Sequence, residues 1–148
     1  MKSSSKHREK GRYLLRILFG MKDQLIVDAV HDKKGIVVRV RTKDAYLKCS
    51  NCGSKRVSKK GSTRRTFLTT PIGCDSVRLV AQIQRLKCKD CGTIRQERLS
   101  YAEPKKSYTR RLEKYINKLL AGMTKQDVAR NLGMSWNTVQ EIQMRQRG

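Results

Sequence analysis

Acidic residues are scarce in this chain of 148 residues, where 12 Asp and Glu stand against 35 Lys and Arg for a formal net charge of +23. A chain this basic repels itself unless it meets a polyanion. Nucleic acid is the first candidate, an anionic membrane surface is the second, and solvated charge without a ligand is the plain alternative. The charge is spread, with +8 over residues 1–48, +9 over 49–100, +4 over 101–124 and +2 over 125–148. This spread favours a folded basic surface over a disordered basic tail.

Long apolar runs are missing as well. A membrane-spanning helix needs roughly 20 consecutive apolar residues, and the run Tyr13–Phe19 is far shorter. No small-residue cleavage site follows that run, so we expect no signal peptide. The expected location is the cytoplasm or the nucleoid, where thiols stay reduced. We expect neither a membrane nor a small-molecule substrate as a partner.

The five cysteines are an odd number, which argues against a disulfide framework. Four of them instead form two CxxCG pairs, in which a glycine suited to a left-handed turn follows the second cysteine. Four thiolates match the tetrahedral coordination of one Zn²⁺ at ~2.3 Å per bond, and they leave no position open for catalysis. The repeat is typical of a zinc ribbon, so we predict one structural Zn²⁺ bound by Cys49, Cys52, Cys88 and Cys91.

A redox dithiol is the alternative interpretation of any CxxC pair. It fits less well here, because a catalytic dithiol normally begins a helix in a thioredoxin-like βαβ unit, and no such pattern surrounds either pair. Cys74 lies in the turn Pro71–Asp75 and has no CxxC partner. We interpret Cys74 as a free thiol outside the metal site.

Residues 1–102 alternate between turn signals and runs of β-branched residues. Residues 24–30 and 36–40 predict a β-hairpin around the turn at 32–35. Residues 62–70 and 76–87 predict a second hairpin between the two cysteine pairs, with apolar and polar side chains alternating along its second strand. The basic residues of this hairpin are predicted to lie along a phosphate backbone, with a solvated sheet face as the alternative; they include Arg64, Arg65 and Arg85.

After a linker at residues 103–107 the apolar period changes from two to about 3.6, which indicates helices. Thr124 is a suitable N-cap, Gly133 provides a tight turn, and Ser135 caps a further helix that starts at Trp136. This spacing predicts a helix-turn-helix whose last helix reads DNA. Asn and Gln side chains can pair with adenine edges, and arginines can reach phosphates. The predicted DNA contacts of this part are Lys125, Ser135, Trp136, Asn137, Gln140, Glu141, Met144 and Arg145, and Arg147 is also placed to reach phosphate.

A three-helix domain that binds protein is the alternative to a helix-turn-helix, and Trp136 could belong to the core instead of the DNA surface.

Taken together, the patterns predict an α+β chain in which zinc-ribbon β-hairpins precede an all-α three-helix domain. The predicted divisions are a basic mobile arm over 1–10, a helix plus β-hairpin over 11–48, a zinc ribbon over 49–102, and a helix-turn-helix domain over 103–148.

The order of these parts resembles the N-terminal region of bacterial insertion-sequence transposases of the ISL-three type. The likeness rests on the CxxCG pair, the arginine-bearing hairpin, the RxxCxxCG run of Arg85, Cys88 and Cys91, and the helix-turn-helix, and it covers roughly residues 12–148. The resemblance implies that the four cysteines bind zinc and that segment 124–145 binds double-stranded DNA at transposon ends. A homodimer is compatible with this assignment.

In that family a DDE catalytic domain follows the helix-turn-helix, whereas this chain ends at Gly148. Its acidic residues are scattered and predict no site for two metal ions. We therefore expect a chain that binds DNA without cutting it, either a truncated product or a short protein that kept the DNA-binding half. The alternative function is a small zinc-containing transcriptional regulator or transposition repressor, and a nuclease or an RNA-binding protein are further rivals.

Overall fold

The computed structural model describes the backbone of residues 2–147 and the side chains of residues 10–14 and 16–146. It confirms the mixed α+β class, with strands that precede the C-terminal helices. The elements in chain order are α1 (Lys2–Phe19), β1 (Gln24–Asp32), β2 (Gly35–Thr42), β3 (Val57–Ile72), β4 (Asp75–Cys88), β5 (Ile94–Gln96), α2 (Arg110–Leu119), α3 (Lys125–Leu132) and α4 (Trp136–Arg147), with a 3-10 turn at Asp44–Tyr46.

Both predicted hairpins belong to one sheet with the strand order β1-β2-β4-β3, and β5 pairs with the end of β4. The two hairpins are antiparallel, but β2 lies parallel to β4, so that Val38 is opposite Leu79. The segments predicted over 11–48 and 49–102 therefore contribute strands to the same sheet. Local sequence patterns predict where a strand lies, but they do not predict which strands pair. The parallel pairing of β2 with β4 forms because both strands bury apolar residues on the same face.

The buried face of the sheet forms the larger core. Phe67 of β3 and Leu79 of β4 are fully buried there, and residues before β1 and after β5 cover them. The ring of Tyr101 meets the ring of Phe67 edge to face, with a centroid distance of 5.8 Å and an interplanar angle of 86°. This geometry is favourable for an aromatic pair and holds the segment after β5 against the sheet.

Helix α1 begins at Lys2, so the segment predicted as a mobile arm is helical, except for Met1, which lies outside the described residues. It is continuous with the helix predicted at the start of segment 11–48, because extending an existing helix adds one hydrogen bond per ordered residue. The helix ends before Gly20, whose φ is +64°. No helix in the described part of the chain is long and apolar enough to cross a membrane.

The three C-terminal helices enclose a second core, which includes Leu112, Val128, Val139 and Ile142. The chain that leads into α2 runs beside the edge strand β3. There the Leu68 N–H donates to the carbonyl of Ser107 at 2.9 Å, and the Thr109 N–H donates to the carbonyl of Leu68 at 3.0 Å. These backbone bonds fix the three-helix domain to the sheet.

Candidate metal centre and nucleic-acid interface

The two cysteine pairs meet at the end of the sheet where β4 finishes. Their four sulfur atoms all lie within 4.8 Å of one another. The sulfurs of Cys49 and Cys91 are 3.6 Å apart, and those of Cys52 and Cys88 are 3.5 Å apart. Sulfurs at the corners of a tetrahedron with ~2.3 Å metal bonds are separated by roughly 3.8 Å. The set therefore fits a single Zn²⁺ in donor type, number and spacing.

The two pairs have the same backbone geometry. Cys49 N–H donates to Ser54 O at 2.8 Å and Cys88 N–H donates to Thr93 O at 3.0 Å, while the N–H of the glycine after each pair donates back to the first cysteine carbonyl. Gly53 has φ +78° and Gly92 has φ +74°. The left-handed turn predicted from the CxxCG spacing is confirmed at both positions.

Backbone amides point at the sulfurs, as thiolate ligands require. The N–H of Asn51 donates to the Cys49 sulfur at 3.4 Å, and the N–H groups of Asp90 and Cys91 donate to the Cys88 sulfur at 3.4 Å each. Hydrogen bonds of this kind favour the charged form of the acceptor. The amides of Cys52 and Asn51 accordingly lower the pKa of the Cys49 thiol.

Side chains outside the four ligands add to this effect. The hydroxyl of Thr93 lies 3.0 Å from the Cys91 sulfur, and Asn51 Nδ2 donates to the same sulfur at 3.6 Å. The Thr93 hydroxyl, followed by its backbone amide and by Asn51, lowers the pKa of Cys91 to about 5. At Cys52 the Ser54 amide favours the thiolate, but the neighbouring Cys88 sulfur and burial raise the pKa to about 12. Bound Zn²⁺ would supply the charge that lets all four sulfurs be thiolates.

Cys74 lies outside this cluster, in the turn between β3 and β4, where it is exposed. The turn joins the strands at the end opposite to Cys88, since β4 runs the full 14 residues between them. This placement agrees with the interpretation of Cys74 as a thiol that is not a ligand.

The caps of the helix-turn-helix are confirmed. Thr124 is the N-cap of α3, and its side chain accepts a hydrogen bond from the Asp127 N–H. Gly133 ends α3 in the left-handed conformation with φ +64°. Ser135 Oγ accepts from the Thr138 N–H at 3.2 Å, and this bond starts α4. The turn between the helices is thus fixed by local chemistry that is readable in the sequence.

Helix α4 presents one side to solvent. Val139 and Ile142 are buried, and at roughly 100° per residue the face opposite to them holds Asn137, Gln140 and Met144. Asn137 and Met144 are exposed, and Gln140 is half-buried. These three residues are among the predicted DNA contacts, and the fold leaves them accessible together.

Trp136 is 48% exposed and is therefore not a core residue. The ammonium group of Lys125 lies 5.5 Å from the centroid of the Trp136 ring, within the range of a cation–π interaction. The same ammonium group donates a hydrogen bond to Gln140 Oε1. One cation from the start of α3 thus orients two side chains at the outer surface of α4.

Arg145 and Glu141 have partners within the chain, and their roles as DNA contacts stay predictions. Arg145 forms an ion pair with Glu113 of α2 and donates to the Tyr108 hydroxyl at 3.4 Å. Glu141 forms an ion pair with Lys106 of the linker. Both pairs tie α4 to the start of its own domain. The side chain of Arg147 lies outside the described residues.

The three arginines predicted on the β-hairpin have different surroundings. Arg64 is exposed and is opposite Gln82 on the polar face of the sheet. Arg65 lies on the other face, where its guanidinium stacks 4.8 Å from the centroid of Phe67 and donates to the Lys106 carbonyl at 3.0 Å. These contacts give Arg65 a structural role, and its contact with DNA stays a prediction. Arg85 is exposed near the cysteines.

Sequence reasoning missed two basic residues of note. Lys87 is exposed two residues after Arg85 on the same strand, and the period-two alternation of β4 places both side chains on one face. Lys106 could not have been identified, because its partner Glu141 is 35 residues away in the chain.

The fold and the site define a class of protein: a zinc-ribbon sheet joined to a helix-turn-helix DNA-binding domain. Comparison with known families agrees with this class. The family described as the zinc-finger of transposase IS204/IS1001/IS1096/IS1165 matches residues 46–91. The helix-turn-helix domain of transposase family ISL3 matches residues 97–146.

A curated relative points the same way. The transposase for insertion sequence element IS1001 of Bordetella parapertussis is 32% identical over 109 residues, which are 69% of this chain and 27% of that protein. The aligned part therefore spans about a quarter of the relative. No solved structure matches the chain significantly.

The chain therefore carries the zinc-finger and the helix-turn-helix of ISL3-type transposases, as the resemblance in the sequence predicted. Each of its two domains matches a domain found in transposases. The family match and the four-cysteine cluster together indicate a structural Zn²⁺.

Proposed function

We propose that this chain recognises double-stranded DNA at the terminal repeats of a transposon, and that it binds these ends without cutting them. The observation that carries the proposal is the outer face of α4. Asn137, Gln140 and Met144 lie there together, opposite the buried residues of the same helix, in a domain that matches a transposase helix-turn-helix.

The chemistry of this face suits the edges of A·T base pairs. The amide groups of Asn137 and Gln140 can each make a bidentate pair with adenine N6 and N7, while Met144 can make apolar contact with a thymine methyl group. Each good bidentate pair contributes roughly 1–3 kcal/mol of discrimination against a wrong base. We therefore expect an A·T-containing recognition site in the major groove.

The four proposed zinc ligands, Cys49, Cys52, Cys88 and Cys91, contribute by folding the sheet to which the helix-turn-helix is attached. The edge strand β3 pairs with Cys88 at Val57 and also carries the Leu68 contact with the three-helix domain. A defect at the metal site would therefore alter how α4 is held.

Selection from a random-sequence duplex library tests the proposal. The purified chain should enrich one sequence, and that sequence should occur in the inverted repeats at the two ends of the element that encodes it. Enrichment of a sequence found only at promoters would support a transcriptional regulator or repressor instead. Two inverted half-sites in the enriched sequence would indicate a homodimer.

A substitution on α4 gives the residue-level test. Asn137→Ala should relax selection at one base pair by about 1–3 kcal/mol without changing the other positions of the site. Asn131→Ala, an exposed asparagine of α3, is the matched control and should leave the selected sequence unchanged. An unaltered base preference in Asn137→Ala would reject α4 as the reading element.

The absence of cutting is tested with a duplex that carries the enriched sequence. Incubation with Mg²⁺ or Mn²⁺ should give no cleaved or joined strand. A product that depends on these ions would show that the chain has strand-transfer or nuclease activity and would reject this half of the proposal.

A further inference from the structure

The sheet has a strongly basic end next to the cysteine cluster, away from the helix-turn-helix. We propose that this end is a second DNA-contact surface that binds backbone phosphates about one helical turn from the site read by α4. The inference rests on the proposed function and adds to it a second point of contact, on the sheet. We name as the zinc-end face the side-chain row formed by Ser58 of β3, Arg85 and Lys87 of β4, and Ile94 and Gln96 of β5.

Strand register places these residues on one side of the sheet. Lys87 is opposite Ser58 on one neighbouring strand and Ile94 on the other, and Arg85 is opposite Gln96. Residues that are directly opposite in a sheet point to the same face. Within β4 the two cations alternate with buried residues, since Leu86 and Cys88 are 3% and 1% exposed.

The face is open and contains no acid. Arg85, Lys87 and Gln96 are exposed, and Ile94 is 46% exposed. Arg85 and Lys87 are two residues apart, so their side chains leave the strand roughly 6.6 Å from each other. Neighbouring charges on one DNA strand recur every 3.4 Å of helix axis, so this spacing allows the two cations to contact different phosphates of one strand.

The surroundings of the face are basic beyond what the metal site requires. Residues 48–60 and 85–98 contain ten Lys and Arg against two acids, a formal charge of +8. Four thiolates around one Zn²⁺ have a net charge of −2. Neutralising the metal centre therefore requires only a quarter of the +8 formal charge. A surplus of this kind attracts a polyanion.

Few of these cations are neutralised by neighbours. Arg56 pairs with Asp90 at 2.9 Å and Lys59 pairs with Asp44 at 2.7 Å. Arg85 and Lys87 form no ion pair with any side chain that the structure describes. Binding a phosphate would therefore break no existing ion pair at these two positions.

The distance along the sheet sets where this contact would fall. Strand β3 joins the zinc-end face at Ser58 to the attachment point of the three-helix domain at Leu68. Ten residues of strand span roughly 30 Å, less the local shortening at a bulge. This separation between the zinc-end face and the attachment point is comparable with one turn of B-DNA, about 34–36 Å. It is the basis for placing the second contact about a turn from the site read by α4.

The test compares two double substitutions of equal charge. Arg85→Gln with Lys87→Gln removes the two cations of the zinc-end face. Lys33→Gln with Lys34→Gln removes two exposed cations from the β1–β2 turn at the other end of the sheet. Both proteins should retain one zinc per chain and unchanged melting, and binding is measured on 40-bp duplexes that carry the selected sequence.

The salt dependence gives the expected size of the effect. Each phosphate contact contributes a slope of about −0.9 to log K against log salt, so the Arg85/Lys87 variant should have a slope shallower by about 1.8. Between 50 and 200 mM salt, the fold-loss of affinity of this variant should then be about twelvefold smaller than that of the wild type. Hydroxyl-radical protection should disappear about one turn from the selected bases, while protection at those bases remains.

The outcomes separate the two proposals. If the wild type enriches no sequence and binds no duplex, the proposed function fails. If it binds the selected duplex and the Arg85/Lys87 variant has the slope and footprint of the Lys33/Lys34 variant, the second surface is rejected while the function stands. A shallower slope with a shortened footprint in the Arg85/Lys87 variant alone supports the surface.

Discussion

The side-chain hydroxyls of Thr69 and Thr109 lie 2.9 Å apart, and both residues are almost completely buried, at 3% and 2% exposed. Thr69 belongs to the edge strand β3, whereas Thr109 is the N-cap of α2. Thr109 Oγ1 also accepts a hydrogen bond from the Leu112 N–H at 3.2 Å. A single hydroxyl pair thus links the sheet to the first helix of the DNA-binding domain.

Replacement of each threonine by valine should therefore have unequal costs. Thr109→Val removes the hydroxyl bond to Thr69 and the helix cap, and loss of a cap alone costs about 0.5–2 kcal/mol. Thr69→Val removes only the shared bond, worth about 0.5–1.5 kcal/mol. Urea unfolding at fixed zinc concentration measures both free energies. Equal losses in the two variants would contradict a capping role for Thr109.

Loss of the metal should unfold the sheet. Binding of a structural Zn²⁺ contributes on the order of 10 kcal/mol at neutral pH, so Cys88→Ser or an excess of chelator should release zinc and abolish the cooperative transition. Cys74→Ser is the matched control, because Cys74 lies outside the cluster. Zinc content by mass spectrometry and circular dichroism are the measurements. A folded Cys88→Ser protein with one zinc per chain would refute the ligand assignment.

The turn between α3 and α4 should tolerate only glycine without a cost. Gly133 has φ +64°, and a Cβ added there would meet no atom within 4 Å. Gly133→Ala should then lower the free energy of unfolding by about 1–2 kcal/mol through backbone strain alone. Gly122 is equally open without a positive φ, so Gly122→Ala should be neutral or slightly stabilising. Similar effects at the two glycines would argue against strain as the cause.

Arg145 should act on stability instead of on DNA. Its guanidinium pairs with Glu113, and the hydrogen bond with Tyr108, more than the charge of Glu113, raises the pKa of Arg145. Arg145→Gln should lower the free energy of unfolding by up to about 1 kcal/mol, as is typical of partly exposed pairs. The salt slope of DNA binding should not change. A slope shallower by about 0.9 would instead show that Arg145 contacts a phosphate.

Glu97 should make stability depend on pH. Its carboxylate accepts hydrogen bonds from Thr42 and from the Gln84 N–H, but burial outweighs these bonds and raises the pKa of Glu97. A raised pKa in the folded state means that folding favours the protonated acid, so the contribution of Glu97 to stability falls as pH rises through that pKa.

The difference in unfolding free energy between wild type and Glu97→Gln isolates this contribution. Zinc binding changes with pH in both proteins, and subtraction removes that common effect. The wild type should lose stability relative to Glu97→Gln between acidic and neutral pH. A difference that stays constant over this range would reject the assignment.

Local signals predicted a large part of the site. The CxxCG spacing is sufficient for the two knuckles because each turn is closed by its own backbone bonds, such as that from Gly53 N–H to the Cys49 carbonyl. Thr124, Gly133 and Ser135 determine the helix-turn-helix boundaries for the same reason. Their hydrogen-bond partners lie within four residues, so each interaction can be predicted from a short stretch of sequence.

The roles of individual cations were harder to predict. Arg65 and Arg145 are as basic as Arg64 and Arg85, and the sequence places all four near DNA. The structure separates them, because Arg65 stacks on Phe67 and Arg145 pairs with Glu113. Whether a cation is available for phosphate depends on neighbours that are distant in the chain.

The sequence by itself determined the metal-binding knuckles, the helix caps and the basic character of the molecule, since each depends on residue type and short spacing. The tertiary structure alone decided that β2 pairs in parallel with β4, that β3 holds the helices through Leu68, and that Arg85 and Lys87 share an open face. Those relations arise because folding buries one face of a single sheet, which is favourable. That gain depends on contacts between distant segments, and a local sequence pattern does not specify such contacts.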